Sequence, residues 1–216
     1  MSREPSRDDS PDLSFAHRFE PATRPAAHPL LLLHGTGGDE DDLMPLGRMV
    51  APGAALLSPR GKVFENGMPR FFRRLAEGVF DEDDVRRRAH ELANFLEAAR
   101  LHYGLATPIA LGYSNGANIA AAVLLLRPDA LAGAVLLRAM VPLRSAPPGE
   151  LAGKPVLILS GADDPIAPPA NAARLATMLE DAGAAVEHRT VPAGHGLSQS
   201  DVILARGWLE SLAPPR

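Results

Sequence analysis

The chain has 216 residues, 46% of them hydrophobic, no cysteine, and 26 acidic against 22 basic side chains for a formal net charge of −4. That length suits one domain large enough to bury a full core. Zero cysteine excludes disulfides, Cys-ligated metal and a Cys nucleophile and fits a reducing compartment, while the mild acidity gives no pull towards nucleic acid or anionic membrane.

Residues 1–12 are polar and Asp-rich without an apolar core segment. They read as a disordered tail rather than a signal peptide, leaving 13–216 as a single domain and the cytoplasm as the expected location. Leu13, Phe15, His17 and Phe19 then alternate with polar or small residues, the pattern of a half-buried edge strand. Short apolar runs follow at Leu30–Leu33, Ala54–Leu57, Ile109–Tyr113, Ala132–Leu137, Val156–Leu159 and Val186–Val191. All but the last are apolar throughout, as strands buried on both faces of a parallel sheet are.

Helical periodicity fills the gaps between these runs. Val85, Ala89, Leu92, Phe95, Leu96 and Ala99 form one stripe over Asp84–His102, and Asn115–Leu126 is small and apolar all round. Pro169–Ala182 ends at Gly183, and Ser200–Leu212 closes the set. Strands alternating with helices predict an α/β domain, a mostly parallel sheet flanked by helices on both faces. The longest apolar run, Ile119–Leu126, is far short of the ~20 residues that span a bilayer, so no stable membrane insertion is expected. Ser58–Phe80 has no clear period and is expected to pack on top of the sheet. Asp39–Asp42 and Asp81–Asp84 precede helical patterns, where carboxylates suit the positive helix end, and lack the alternation of a calcium loop. Arg86–Arg88 pairs with acids one turn earlier on a solvated face.

Gly112-Tyr113-Ser114-Asn115-Gly116 sits between a predicted strand and a predicted helix. A strand that turns this sharply into a helix forces its middle residue into a strained conformation. Bulk is then excluded on both sides, and the Ser114 hydroxyl is lifted above the sheet edge as a nucleophile. A base and an orienting acid should follow, in the order acid then histidine. Gly194-His195-Gly196, in a loop after the last strand, supplies the histidine. The acid lies in Asp163-Asp164-Pro165. Pro165 restricts the backbone of Asp164 and favours it, with Asp163 capping the turn. The glycine-rich loop His34–Gly38 can bring the Thr36 N–H towards a substrate carbonyl, beside that of Asn115, as an oxyanion hole. Of Phe64, Met68, Phe71, Phe72 and Phe80, in the irregular stretch, about half are expected to seal the top of the core and the others to line an apolar substrate pocket, with Phe64, Met68, Phe71 and Phe72 the pocket candidates. Arg60 and Arg70 either reach a polar group of the substrate or hold the loop.

These motifs, with Ser58-Pro59-Arg60-Gly61 through Arg70-Phe71-Phe72, Gly161–Ile166 and Gly194–Leu197, resemble the phospholipase/carboxylesterase family of small serine α/β-hydrolases. The resemblance is to its bacterial branch, which includes esterases associated with hydroquinone stress. It implies an α/β-hydrolase fold with Asp164 as the acid and Thr36 and Asn115 as the oxyanion donors. At Thr36 many eukaryotic thioesterase relatives carry Leu. The expectation is a serine carboxylesterase that cleaves small apolar or aryl esters through an acyl-enzyme, with no metal or other cofactor. The alternatives are a thioesterase or lysophospholipase with the same residues, and a non-catalytic binding module, which usually lacks a triad member. The expected partner is a small-molecule ester, and a homodimer is compatible with the sequence.

Overall fold

The computed structural model describes residues 13–24, 28–76, 78–145 and 151–212; the expected tail over 1–12 lies outside the described residues. In chain order the elements are β1 (His17–Glu20), β2 (Leu30–Leu33), α1 (Met44–Val50), β3 (Leu56–Pro59), β4 (Val63–Glu65), β5 (Met68–Arg70), β6 (Arg74–Ala76) and β7 (Val79–Phe80). Then come α2 (Glu82–Tyr103), β8 (Ile109–Tyr113), α3 (Asn115–Leu126), β9 (Gly133–Leu137), β10 (Pro155–Gly161), α4 (Pro169–Asp181), β11 (Ala185–Val191) and α5 (Gln199–Ser211). A seven-stranded sheet runs β1-β3-β2-β8-β9-β10-β11, parallel except for β1, which pairs antiparallel with β3 at the edge.

Each apolar run serves two cores because successive side chains leave opposite faces of a strand. Leu31, Leu33, Ala110, Val156 and Ile158 join the core beneath α2, α3 and α4. Leu30, Leu32, Leu111, Leu157 and Leu159 join the other, covered by α1 and α5. The last strand, β11, has neighbours on one side only, and its residues are mostly exposed or half-buried. That explains why its sequence, like that of β1 at the opposite edge, mixes polar with apolar residues. Helix α2 starts where Asp81 accepts a hydrogen bond from the Asp84 N–H and ends at Gly104 in the left-handed region. Arg88 meets Asp84 at 3.6 Å, one turn earlier as expected, but that carboxylate is buried rather than on a solvated face, and Arg88 also pairs with the later Glu91 at 2.7 Å.

Helix α1, the helix expected after Asp39–Asp42, is only seven residues long. One feature was not foreseen. The stretch 58–80 is not irregular but folds into two hairpins, β4–β5 and β6–β7, the first turning at Asn66-Gly67 with both φ values positive. Among the described residues no helix is long and apolar enough to cross a membrane.

In the sheet order, β3 lies to one side of β2 while the chain continues with β8 on the other. Loops leaving the carboxyl ends of two strands at such a reversal diverge and open a crevice between them. The loop after β2 carries Thr36 and the turn after β8 carries Ser114, so the fold brings the two predicted motifs to one place.

Candidate active site

Ser114 has φ 52° and ψ −112°, a conformation costly for any residue with a side chain. The surroundings impose it. A Cβ on Gly112 would lie 2.6 Å from the Gly116 carbonyl oxygen, and one on Gly116 would fall onto the Leu33 carbonyl. The strand therefore enters the helix in a space that admits only glycine on either side. Ser114 is held by its N–H to Leu137 O at 2.8 Å and by Asn118 N–H to its own carbonyl at 3.0 Å.

The hydroxyl of Ser114 is 3.0 Å from His195 Nε2, and His195 Nδ1 is 2.8 Å from Asp164 Oδ2. An ionised carboxylate only accepts, so Nδ1 carries the proton and Nε2 is left to accept from the serine. Asp164 is buried, and its Oδ1 accepts from the Ile166 and Ala167 N–H groups at 2.8 and 2.9 Å. This corrects the division of labour expected for the adjacent aspartates. Asp164 caps the turn with one oxygen and meets His195 with the other, whereas Asp163 is exposed.

Arg138, unforeseen in the sequence, secures the histidine loop. It stands past the end of β9 at φ 57° with its side chain fully buried. Its Nε donates to Gly194 O at 2.9 Å and Nη2 to Gly196 O at 3.0 Å, one carbonyl on each side of His195. Nη1 and Nη2 also form a bidentate pair with Asp201 at 2.8 and 2.9 Å, and Nη1 reaches Leu159 O at 3.3 Å. All five N–H donors of the guanidinium are engaged. Tyr113 Oη donates to His195 O at 3.1 Å, so three successive carbonyls of the loop are anchored. Burial alone would raise the Asp201 carboxyl, but hydrogen bonds from Arg138 and Ser198 outweigh it and hold the group below its ordinary range. The signals were an arginine closing an apolar run and the Ser198–Asp201 capping box that opens α5.

Thr36 and Asn115 both line the cleft beside Ser114. Asn115 is the first residue of α3, whose N–H has no partner within the helix. The Thr36 loop is fastened by Gly37 N–H to Pro69 O at 2.9 Å and by Arg70 Nη1 to Thr36 Oγ1 at 2.7 Å. Beneath it, buried His34 donates from Nδ1 to Gly35 O at 2.6 Å and accepts the Gly61 N–H at Nε2 at 3.0 Å, which requires the neutral ring.

Burial lowers the His34 pKa, more than Gly35 and the carboxylates of Asp42, Asp39 and Glu40 raise it, and burial acts on His188 in the same direction. An unfolded imidazole binds a proton near pH 6.5. Stability from the neutral ring is therefore complete above that pH and is lost as pH falls through the lower folded value. The melting temperature is expected to drop as pH falls below about 6.5, and less steeply in His34→Gln. Equal slopes in melts across that range would contradict it.

The expected pocket is corrected as well. Phe71 and Phe72 are buried in the core, Phe64 is 65% exposed on its hairpin, and Met68 packs beside Gly37. Phe71 and Phe72 follow β5 together into the core, and none of the four lines the cleft. Its volume of about 260 Å³ is lined instead by the apolar Phe80, Tyr113, Met140 and Ile166 together with the polar Arg70, Arg74, Asn115 and Asn118. Arg60 pairs with Glu40 at 3.3 Å at the surface, so of the two undecided arginines it is Arg70 that enters the cleft.

Comparison with known proteins agrees with this architecture. Residues 17–212 match the family model described as phospholipase/carboxylesterase. MhqD of Bacillus subtilis strain 168, named as a hydrolase, is 47% identical over 194 residues, covering 89% of this chain and 96% of its own. The crystal structure of a Bacillus cereus carboxylesterase superposes with a TM-score of 0.89 at 46% identity, covering 93% of this chain and 95% of that one. A Mesorhizobium loti carboxylesterase gives 0.87 at 36% identity, with 92% and 96% covered. The chain belongs to the phospholipase/carboxylesterase family of α/β-hydrolases, enzymes that act on ester bonds.

Proposed function

We propose that this chain is a serine carboxylesterase that cleaves small esters through an acyl-enzyme on Ser114. The observation that carries the reading is the unbroken chain from Asp164 to His195 to Ser114, at 2.8 and 3.0 Å. His195 Nε2 takes the hydroxyl proton as Ser114 Oγ attacks the ester carbonyl, and Asp164 stabilises the imidazolium. The tetrahedral oxyanion lies between the N–H groups of Thr36 and Asn115, each donor contributing about 3–4 kcal/mol to the transition state. His195 returns the proton to the departing alcohol. Water then repeats the sequence on the acyl-enzyme, releasing the acid and restoring Ser114. The scissile group's apolar part rests on Phe80, Tyr113, Met140 and Ile166, a surface suited to short acyl or aryl groups.

A fluorophosphonate probe tests this reading, because it reacts with an activated serine. The wild-type protein is expected to be labelled and Ser114→Ala to remain unlabelled, with retained far-UV dichroism as the check on folding. Equal labelling of the two proteins refutes the assignment.

A further inference from the structure

Building on that reading, we infer that the cleft is made for esters that also bear a carboxylate, such as monoesters of a short dicarboxylic acid. The polar lining of the cleft is rich in donors. Arg70 and Arg74 both line it, and among the described lining residues none is acidic. Arg70 is 3% exposed, with its Nη1 on Thr36 Oγ1 at 2.7 Å, so its charge lies next to the oxyanion loop. Glu65 is shared by the two arginines, at 3.2 Å from Arg70 Nε and 3.1 Å from Arg74 Nε. One carboxylate against two guanidiniums leaves a net positive charge.

The neutral groups point the same way. Asn115 Oδ1 accepts from Phe71 N–H at 2.7 Å, which fixes the amide so that Nδ2 is the other end, and that buried nitrogen has no partner. Asn118 is oriented alike, its Oδ1 accepting from Met140 N–H at 2.7 Å. Thr36 Oγ1 already accepts from Arg70, so its proton is left to donate elsewhere. A buried donor without an acceptor is costly, and the Asn115 amide N–H beside an incompletely balanced guanidinium is relieved by an acceptor-rich anion. Burial, reinforced by Arg74 and opposed by Glu65, pulls the Arg70 pKa down, as expected of a cation short of counter-charge. A cleft of about 260 Å³ admits a chain of a few carbons between the reacting carbonyl and that anion. In the reaction, the monoester and water give the dicarboxylate, the alcohol and a proton by the steps already described, with the remote carboxylate unchanged.

Monoethyl succinate and ethyl 4-methylpentanoate differ in a carboxylate against an isopropyl group of similar shape. With the wild-type enzyme, kcat/KM is expected to be at least tenfold higher for the succinate monoester, mainly through KM, and the ratio should shrink with added salt. Arg74→Met should bring the ratio close to one, and Glu65→Gln, which frees both arginines, should raise it. Binding is followed separately by calorimetry with succinamate and 4-methylpentanamide, which are not cleaved. Succinamate should bind at least tenfold more tightly, and the difference should vanish in Arg74→Met. Equal binding of the two amides, or a preference that survives Arg74→Met, overturns the inference. Selective succinamate binding without turnover of any ester upholds the anion site and counts against the serine esterase reading.

Discussion

Asp164→Asn is expected to fold as the wild type does and to lose about 10⁴-fold in kcat, because the substitution inverts the histidine tautomer. The turn decides which way the new amide faces. Ile166 and Ala167 present two N–H donors to Oδ1, so the asparagine oxygen must stay there. Its NH₂ then occupies the place of Oδ2 and donates to His195 Nδ1, 2.8 Å away. With Nδ1 accepting, the ring proton moves to Nε2, the atom that has to receive the proton of Ser114. Hydrolysis of 4-nitrophenyl acetate and the rate of fluorophosphonate inactivation should fall together, while the melting temperature stays close to that of the wild type. Asp163→Asn, at an exposed carboxylate one residue away, should retain full activity. The reverse pattern between the two variants would assign the acid to Asp163.

How much of this was legible in the sequence depends on the range of the interaction concerned. Leu30–Leu33 and Ile109–Tyr113 announce doubly buried strands because burial on both faces leaves no polar position in the run. Gly112 announces the turn at Ser114 because its steric conflict, with Gly116 and Ala117, lies within five residues, whereas Gly116 is imposed by the Leu33 carbonyl of a neighbouring strand. The hairpins were legible in part: Asn66-Gly67 is a strong turn signal, but three-residue strands are too short for alternation to stand out. Which aromatics face the cleft was not legible, because Phe71, Phe72 and Phe80 are alike in composition and differ only in how the hairpins fold back. Arg138 was hidden for a different reason. Its carboxylate partner is 63 residues away and its other acceptors are backbone carbonyls, which carry no residue identity.

Arg138→Met is expected to cost about 3–5 kcal/mol of stability, since it strands the buried Asp201 carboxylate. In a domain of this size that lowers the melting temperature by roughly 6–20 °C. Arg138→Met combined with Asp201→Asn removes the stranded charge and keeps an acceptor for the Ser198 N–H, so much of that loss should be recovered. Activity should not return with it. Gly194 O and Gly196 O have lost the guanidinium that spans His195, leaving Tyr113 as the loop's remaining side-chain anchor. Misplacing a catalytic base by about 1 Å is enough to lower kcat about 10²-fold. The double variant should therefore be stable at assay temperature, bind ester with little change in KM, and turn over and react with fluorophosphonate about 10–100-fold more slowly. Arg138 is on this account a positioning residue, acting through the histidine loop without touching substrate. Recovery of kcat in step with melting temperature would reduce it to a purely structural ion pair, because the two readouts separate only if the grip on both sides of His195 matters to the proton transfer itself.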